Sequence, residues 1–123
     1  MASTIITLRN PLGTLVFQES ALSTTPVQIA TSAQTYYHFE LDNTANSAIT
    51  YYKFYQVGSA PDPTDGATHP RLIIPVPATT KTYVFLPGGL YQATGNFVIA
   101  TSTLESAGAQ SAPTTAVGLT ILG

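Results

Sequence analysis

Tyr36-Tyr37-His38-Phe39-Glu40-Leu41-Asp42, then Asn43-Thr44-Ala45-Asn46-Ser47, then Ile49-Thr50-Tyr51-Tyr52-Lys53-Phe54-Tyr55-Gln56-Val57: on this stretch the fold turns. The first block alternates, with Tyr37, Phe39 and Leu41 on one side and Tyr36, His38 and Glu40 on the other. Such alternation marks a strand buried on one face. In the third block aromatic rings fall on both faces, which predicts a central strand covered on both sides. The middle block is made of residues that favour turns, and an antiparallel hairpin joining the two strands is the natural expectation.

Working outward, the same strand signals recur at Ile5–Leu8, Thr14–Gln18, Val27–Ala30, Leu72–Val76, Thr82–Leu86, Phe97–Thr101 and Ala116–Leu122. Nine prolines interrupt the chain, and threonine, which favours strands, is the commonest residue. No window keeps a helical spacing of apolar residues; the best candidate is a single turn near Ser102–Ala107. Strands this short and this evenly spaced leave no room for helical crossovers. The expectation is one all-β domain over residues 1–123, an antiparallel β-sandwich of eight or nine strands. Its connectivity is open between jelly-roll and immunoglobulin-like. Two longer loops, 58–70 and 105–115, read as surface excursions, and there is no internal repeat.

Composition narrows function. Charged residues make up 8% of the chain, against about 25% in ordinary soluble domains. Thr, Ser, Ala, Asn, Gln and Gly stand where Lys and Glu would be. A monomer that must stay dispersed keeps a charged surface, so a hydroxyl-rich, nearly neutral one suits a protein packed against copies of itself or a larger scaffold. The net charge of −2 and the scattered Arg9, Lys53, Arg71 and Lys81 supply no basic patch, so nucleic acid is not an expected partner. No apolar run is long enough to span a bilayer, and Met1–Ile6 lacks the features of a signal peptide. The absence of cysteine removes disulfides, thiolate metal sites and cysteine nucleophiles.

Candidate chemistry is sparse. His38 and Glu40 share a strand face and offer two of the ligands that zinc needs, with no third in view. Asp62, Asp65 and Gly66 have a loose calcium-loop spacing, but Thr64 stands at the alternate position and no closing glutamate follows. His38 and His69 lack a nucleophile elbow, and the carboxylates Glu19, Glu40, Asp42, Asp62, Asp65 and Glu105 show no paired arrangement. Gly88-Gly89 leads into no phosphate-binding helix. The expectation is a protein that is not an enzyme and has no catalytic, cofactor-binding or metal residues. The seven tyrosines divide among three uses: cross-strand packing, a protein interface, or stacking against sugars.

Phe39–Gly95, a little under half the chain, resembles a small β-sandwich of tailed-phage virions. The matching elements are Leu41-Asp42-Asn43-Thr44, Tyr52-Lys53-Phe54-Tyr55, Ile74-Pro75-Val76-Pro77-Ala78, and a turn at Leu86-Pro87-Gly88-Gly89-Leu90-Tyr91 running to Thr94-Gly95. The resemblance implies a virion structural protein, foremost a capsid decoration (cement) protein on the outside of the shell, made in the host cytoplasm. Its implied partners are the major capsid protein and copies of itself, as a homotrimer fitting local threefold positions. A tail, neck or baseplate component is the alternative within that class, and a carbohydrate-binding or adhesin sandwich the alternative outside it. Residues 1–8, apolar and β-prone, are expected to act as an assembly strand that adds to a sheet edge, either the chain's own or a partner's.

Overall fold

The computed structural model describes residues 16–58, 63, 68–104 and 111–123. Among these residues eight strands follow one another: β1 Val16–Leu22, β2 Val27–Ala30, β3 Gln34–Asp42, β4 Thr50–Gln56, β5 Leu72–Val76, β6 Lys81–Gln92, β7 Asn96–Thr101 and β8 Val117–Leu122. No described residue is helical, and Ser102–Leu104, where a helical turn begins in the sequence reading, is irregular. The expected strand at Ile5–Leu8, the first two residues of the one at Thr14–Gln18, and the assembly strand at 1–8 lie outside the described residues.

The strands form two four-stranded sheets, β1-β8-β3-β6 and β2-β7-β4-β5, with every ladder antiparallel. The pairs β1–β8, β2–β7, β3–β6 and β4–β5 nest inside one another, as if a long hairpin had been folded at β4–β5 and then rolled up. Rolling places β3 beside β8 and β4 beside β7, which completes each sheet. This is the eight-stranded jelly roll. Of the two connectivities left open by the sequence, the immunoglobulin-like one is excluded.

The core lies between the sheets. Phe39 and Leu41 of β3, Leu119 and Ile121 of β8, Tyr52 and Phe54 of β4, and Val98 and Ala100 of β7 are buried in one cluster. Fully burying such a side chain stabilises by about 1.5–3 kcal/mol. β4 sits inside its sheet, between β7 and β5, and its outward residues Lys53 and Tyr55 are as inaccessible as its inward ones. The expectation of a central strand covered on both faces therefore holds. Tyr55 belongs to a second apolar cluster with Phe97 and Ile99 on the outer face of that sheet.

Three sequence expectations are corrected. β3 and β4 do not form a hairpin: they belong to opposite sheets, and residues 43–49 are a corner between them. Asn43, fully buried, holds that corner. Its Nδ2 donates to the carbonyls of Ala48 (3.0 Å), Val76 (3.1 Å) and Pro77 (3.1 Å), while its Oδ1 accepts from Asn46 Nδ2 and Thr50 Oγ1. Asn46 in turn exchanges two bonds with Thr115, one to its carbonyl and one from its N–H, and so anchors the approach to β8.

Second, the stretch around Pro87-Gly88-Gly89 is not a turn between strands but an insertion within β6. The ladder with β3 runs from Asp42–Lys81 to His38–Phe85 and resumes at Tyr36–Leu90. The residues between are bulged opposite Tyr37. Gly89 makes the return possible: its φ is +75°, and a Cβ there would stand 2.5 Å from Thr35 Cγ2 and 2.8 Å from Tyr37 Cε1.

Third, the alternation of β3 breaks at the same bulge. Tyr36, expected on the face of His38 and Glu40, is fully buried beside Phe39, their rings 6.0 Å apart. A register shift changes the face a side chain occupies, and periodicity within one strand cannot reveal it.

Candidate functional site

The inner faces of both sheets are used up by the core, and on the second sheet Lys53, Tyr55, Phe97 and Ile99 make much of the outer face inaccessible as well. The outer face of the first sheet is different. Its register aligns three rows across the strands. Val16, Leu122, His38 and Phe85 form one; Gln18, Thr120, Glu40 and Tyr83 the next; Gly118, Asp42 and Lys81 the last. Directly opposed residues share a face, so all three rows look outward. Within them Val16 is 61% exposed, Tyr83 61% and Phe85 62%.

The first two rows bring aromatic groups together. The His38 ring lies parallel to Tyr83, centroids 6.1 Å apart at 9°, and tilted against Phe85 at 6.2 Å. Cross-strand pairing places them so, because His38 faces Phe85 and Glu40 faces Tyr83. The result is an aromatic stripe along β6, whose far end carries the exposed Tyr91.

The last row is charged but balanced. Lys81 Nζ lies 3.0 Å from Glu40 Oε1 and 3.9 Å from Asp42 Oδ2. The hydrogen bond and charge of Glu40 push the Lys81 ammonium above its ordinary value. Asp42 is held below the usual carboxylate range, first by the Thr44 hydroxyl at 2.6 Å, then by the Thr44 N–H at 3.0 Å, with Lys81 adding a smaller attraction.

Between β1 and β3 the face dips into a shallow groove of about 400 Å³, lined by Gln18, Glu19 and Ser20, by Gly118, Leu119 and Thr120, and by Glu40 and Asp42. Gly118 accounts for the dip: where its neighbours carry side chains the sheet shows only backbone. Its carbonyl also accepts from the Tyr52 hydroxyl, which reaches across from the other sheet at 3.0 Å.

Of the residues singled out for chemistry, Glu19, Glu40 and Asp42 meet around the groove, with Lys81 against the last two. His38 is half-buried beside the rings of Tyr83 and Phe85 and Glu40 is engaged by Lys81, and among the described residues no three His, Cys, Asp or Glu side chains gather into a metal-holding group. Asp62, Asp65, Gly66 and Glu105 lie outside the described residues. His69 is exposed, and Arg71 donates to Gln56 Oε1 at 2.8 Å. No described helix is long and apolar enough to cross a membrane.

The tyrosines divide by position. Tyr36, Tyr52 and Tyr55 are buried, Tyr37 and Tyr51 half-buried, and Tyr83 and Tyr91 exposed. Phe85 and Val16, the strongest apolar groups of the outer face, escaped the sequence reading. Their strands show the alternation that points them outward, but only the register of β1, β8, β3 and β6 puts them in one row. No protein-family model, no curated protein and no solved structure matches the chain significantly.

Proposed function

We propose that this chain is a structural protein of a tailed-phage particle, foremost a capsid decoration protein that docks on the outside of the shell and braces contacts between capsomers. In this reading it is made in the host cytoplasm, joins the virion exterior, partners the major capsid protein and copies of itself, and carries no catalytic role. The observation that carries the proposal is the outer face of the first sheet. It is four strands wide, bears Val16, Tyr83 and Phe85 exposed, and has its one lysine neutralised by Glu40 and Asp42. Exposed apolar surface of this kind marks a docking site, and tyrosine is enriched at protein interfaces. The scarcity of charge over the whole chain supports the same reading. A homotrimer on threefold positions and a place in the tail, neck or baseplate are the variants within it.

A second reading has its own support. The groove beside Glu40 carries carboxylates and hydroxyls, and Tyr83 stands exposed one strand away, which is the chemistry of a sugar-binding sandwich. Jelly rolls serve viral shells and lectins alike, so the fold favours neither.

The test is addition of the purified protein to particles that lack it, followed by sedimentation. Saturable binding to shells, abolished by Tyr83→Lys with Phe85→Lys, supports decoration. Binding to tails alone moves the assignment to the tail. Retention on a glycan array with no particle binding overturns the proposal in favour of the lectin.

A further inference from the structure

A sheet edge offers unpaired N–H and C=O groups to any passing strand, and proteins that stay monomeric blunt their edges. Among the described residues the four edges are β1, β6, β2 and β5. Three carry a recognisable guard. β1 breaks register between Glu19 and Leu22, and Glu19 Oε1 accepts from the Ala21 N–H at 3.0 Å, so a group the edge would present is already satisfied. β2 is four residues long and shifts register after Gln28. β5 contains Pro75, which has no N–H to give.

β6 has none of these along Lys81–Leu86. Its pairing with β3 is continuous from Lys81 to Phe85, and proline appears only at position 87. Lysine is the usual guard of an edge, yet Lys81 is drawn back onto Glu40 and Asp42. Every second residue turns its N–H and C=O away from β3, and beside that edge Tyr83 and Phe85 stand more than half exposed.

We infer that the β6 edge pairs, antiparallel and about a two-fold axis, with β6 of a second copy of this chain. A strand related to itself by a two-fold axis is self-complementary, and the axis falls naturally at Val84. Tyr83 of each copy then stands opposite Phe85 of the other, and Thr82 opposite Leu86. The aromatic stripe of one outer face continues into its neighbour's, while Val84 and Leu86, already packed against the core, do the same on the inner face.

Charge permits the approach. Lys81, the one charged residue in this segment, lies at the end of the paired stretch and brings its own counter-charges. Proline at 87 ends the ladder at the other side. The joined sheet is eight strands wide. This pairing is independent of the capsid proposal, and it favours a two-fold pair over the homotrimer expected from the sequence.

The chain has no cysteine, so a crosslink reports only the positions chosen for it. Tyr83→Cys with Phe85→Cys in one chain should oxidise to a covalent dimer, because directly opposed strand residues bring their Cα atoms within disulfide reach. Val16→Cys, on the guarded β1 edge, should not. In the unmodified chain, sedimentation equilibrium should show a dimer, with dissociation raised at least about tenfold by Tyr83→Lys and Phe85→Lys, which lose cross-strand aromatic pairs. Both positions are exposed, and the circular dichroism spectrum checks that the variants stay folded. A chain monomeric at every accessible concentration, a trimer, or a crosslink through Val16→Cys in place of the β6 pair overturns the inference. Particle binding by a chain that stays monomeric would leave the decoration proposal standing without this one.

Discussion

Asn43→Ala tests how the two sheets are held together. Asn43 is fully buried, and five polar contacts of 2.8–3.1 Å converge on its amide. Two hydrogens on Nδ2 serve three carbonyls, so the donor side amounts to two full bonds. Oδ1 accepts two more. At a net contribution of about 1 kcal/mol for each bond, truncation should cost about 4 kcal/mol. That is a large part of the roughly 5–15 kcal/mol by which a domain is stable. In urea, with a slope near 2 kcal/mol per molar, the midpoint should fall by about 2 M. Asn43→Asp should be at least as damaging, because it turns a carboxyl oxygen toward the carbonyls of Ala48, Val76 and Pro77. Thr44→Ala, an exposed change next door, should cost less than about 1 kcal/mol. A midpoint lowered by under about 0.5 M in Asn43→Ala at unchanged slope, or an Asn43→Asp variant as stable as the parent, would refute the corner as the tie between sheets.

Other variants separate neighbouring effects. Tyr52→Phe should destabilise by about 1 kcal/mol, losing a hydroxyl placed between the carbonyls of Asp42 and Gly118 across the sandwich. Tyr36→Phe should be neutral or stabilising, since the Tyr36 hydroxyl is buried with no hydrogen-bond partner among the described residues; thermal melts of the pair decide. Gly89→Ala should cost about 2–4 kcal/mol, from a left-handed backbone and a Cβ pressed on Thr35 and Tyr37. Gly88→Ala, where nothing lies within 4 Å of the new methyl, should cost little by the same denaturation assay.

Asp42 sets an acid limit. Its carboxyl is held below the usual range in the folded state, so its contribution is present above the unfolded value, about pH 4, and fades as pH falls through the folded one. Urea midpoints followed from pH 6 downward should therefore decline less steeply in Asp42→Asn than in the parent. Parallel curves would show that the Thr44 contacts contribute nothing.

The strands themselves were legible because strand character is local. β2 and β5 fall where alternation and flanking turn residues place them, and β3, β4, β7 and β8 differ by a residue or two at their ends, whereas β1 continues past the expected Gln18 to Leu22 and β6 past the expected Leu86 to Gln92. The covering of β4 on both faces could also be read, because aromatic rings on both sides of a strand demand it. Sheet membership could not. The Asp42-Asn43-Thr44 stretch has the composition of a tight turn whether the chain doubles back or crosses to the other sheet. What separates the two is where Asn43 finds its acceptors, and Val76 and Pro77 are more than thirty residues away.

The candidate face was hidden for the same reason. His38, Glu40 and Tyr83 were each visible, but Val16, Leu122, His38 and Phe85 become one row only through three ladders between strands distant in sequence. The sequence by itself determined an all-β chain with little charge to keep it apart from other protein. The tertiary structure decided the jelly-roll connectivity, the bulge that turns Tyr36 into the core, and, among the described strands, the contrast between the β6 edge and the three guarded ones. Alternation is a property of neighbours along the chain, whereas register and edges come from pairing between strands far apart in it.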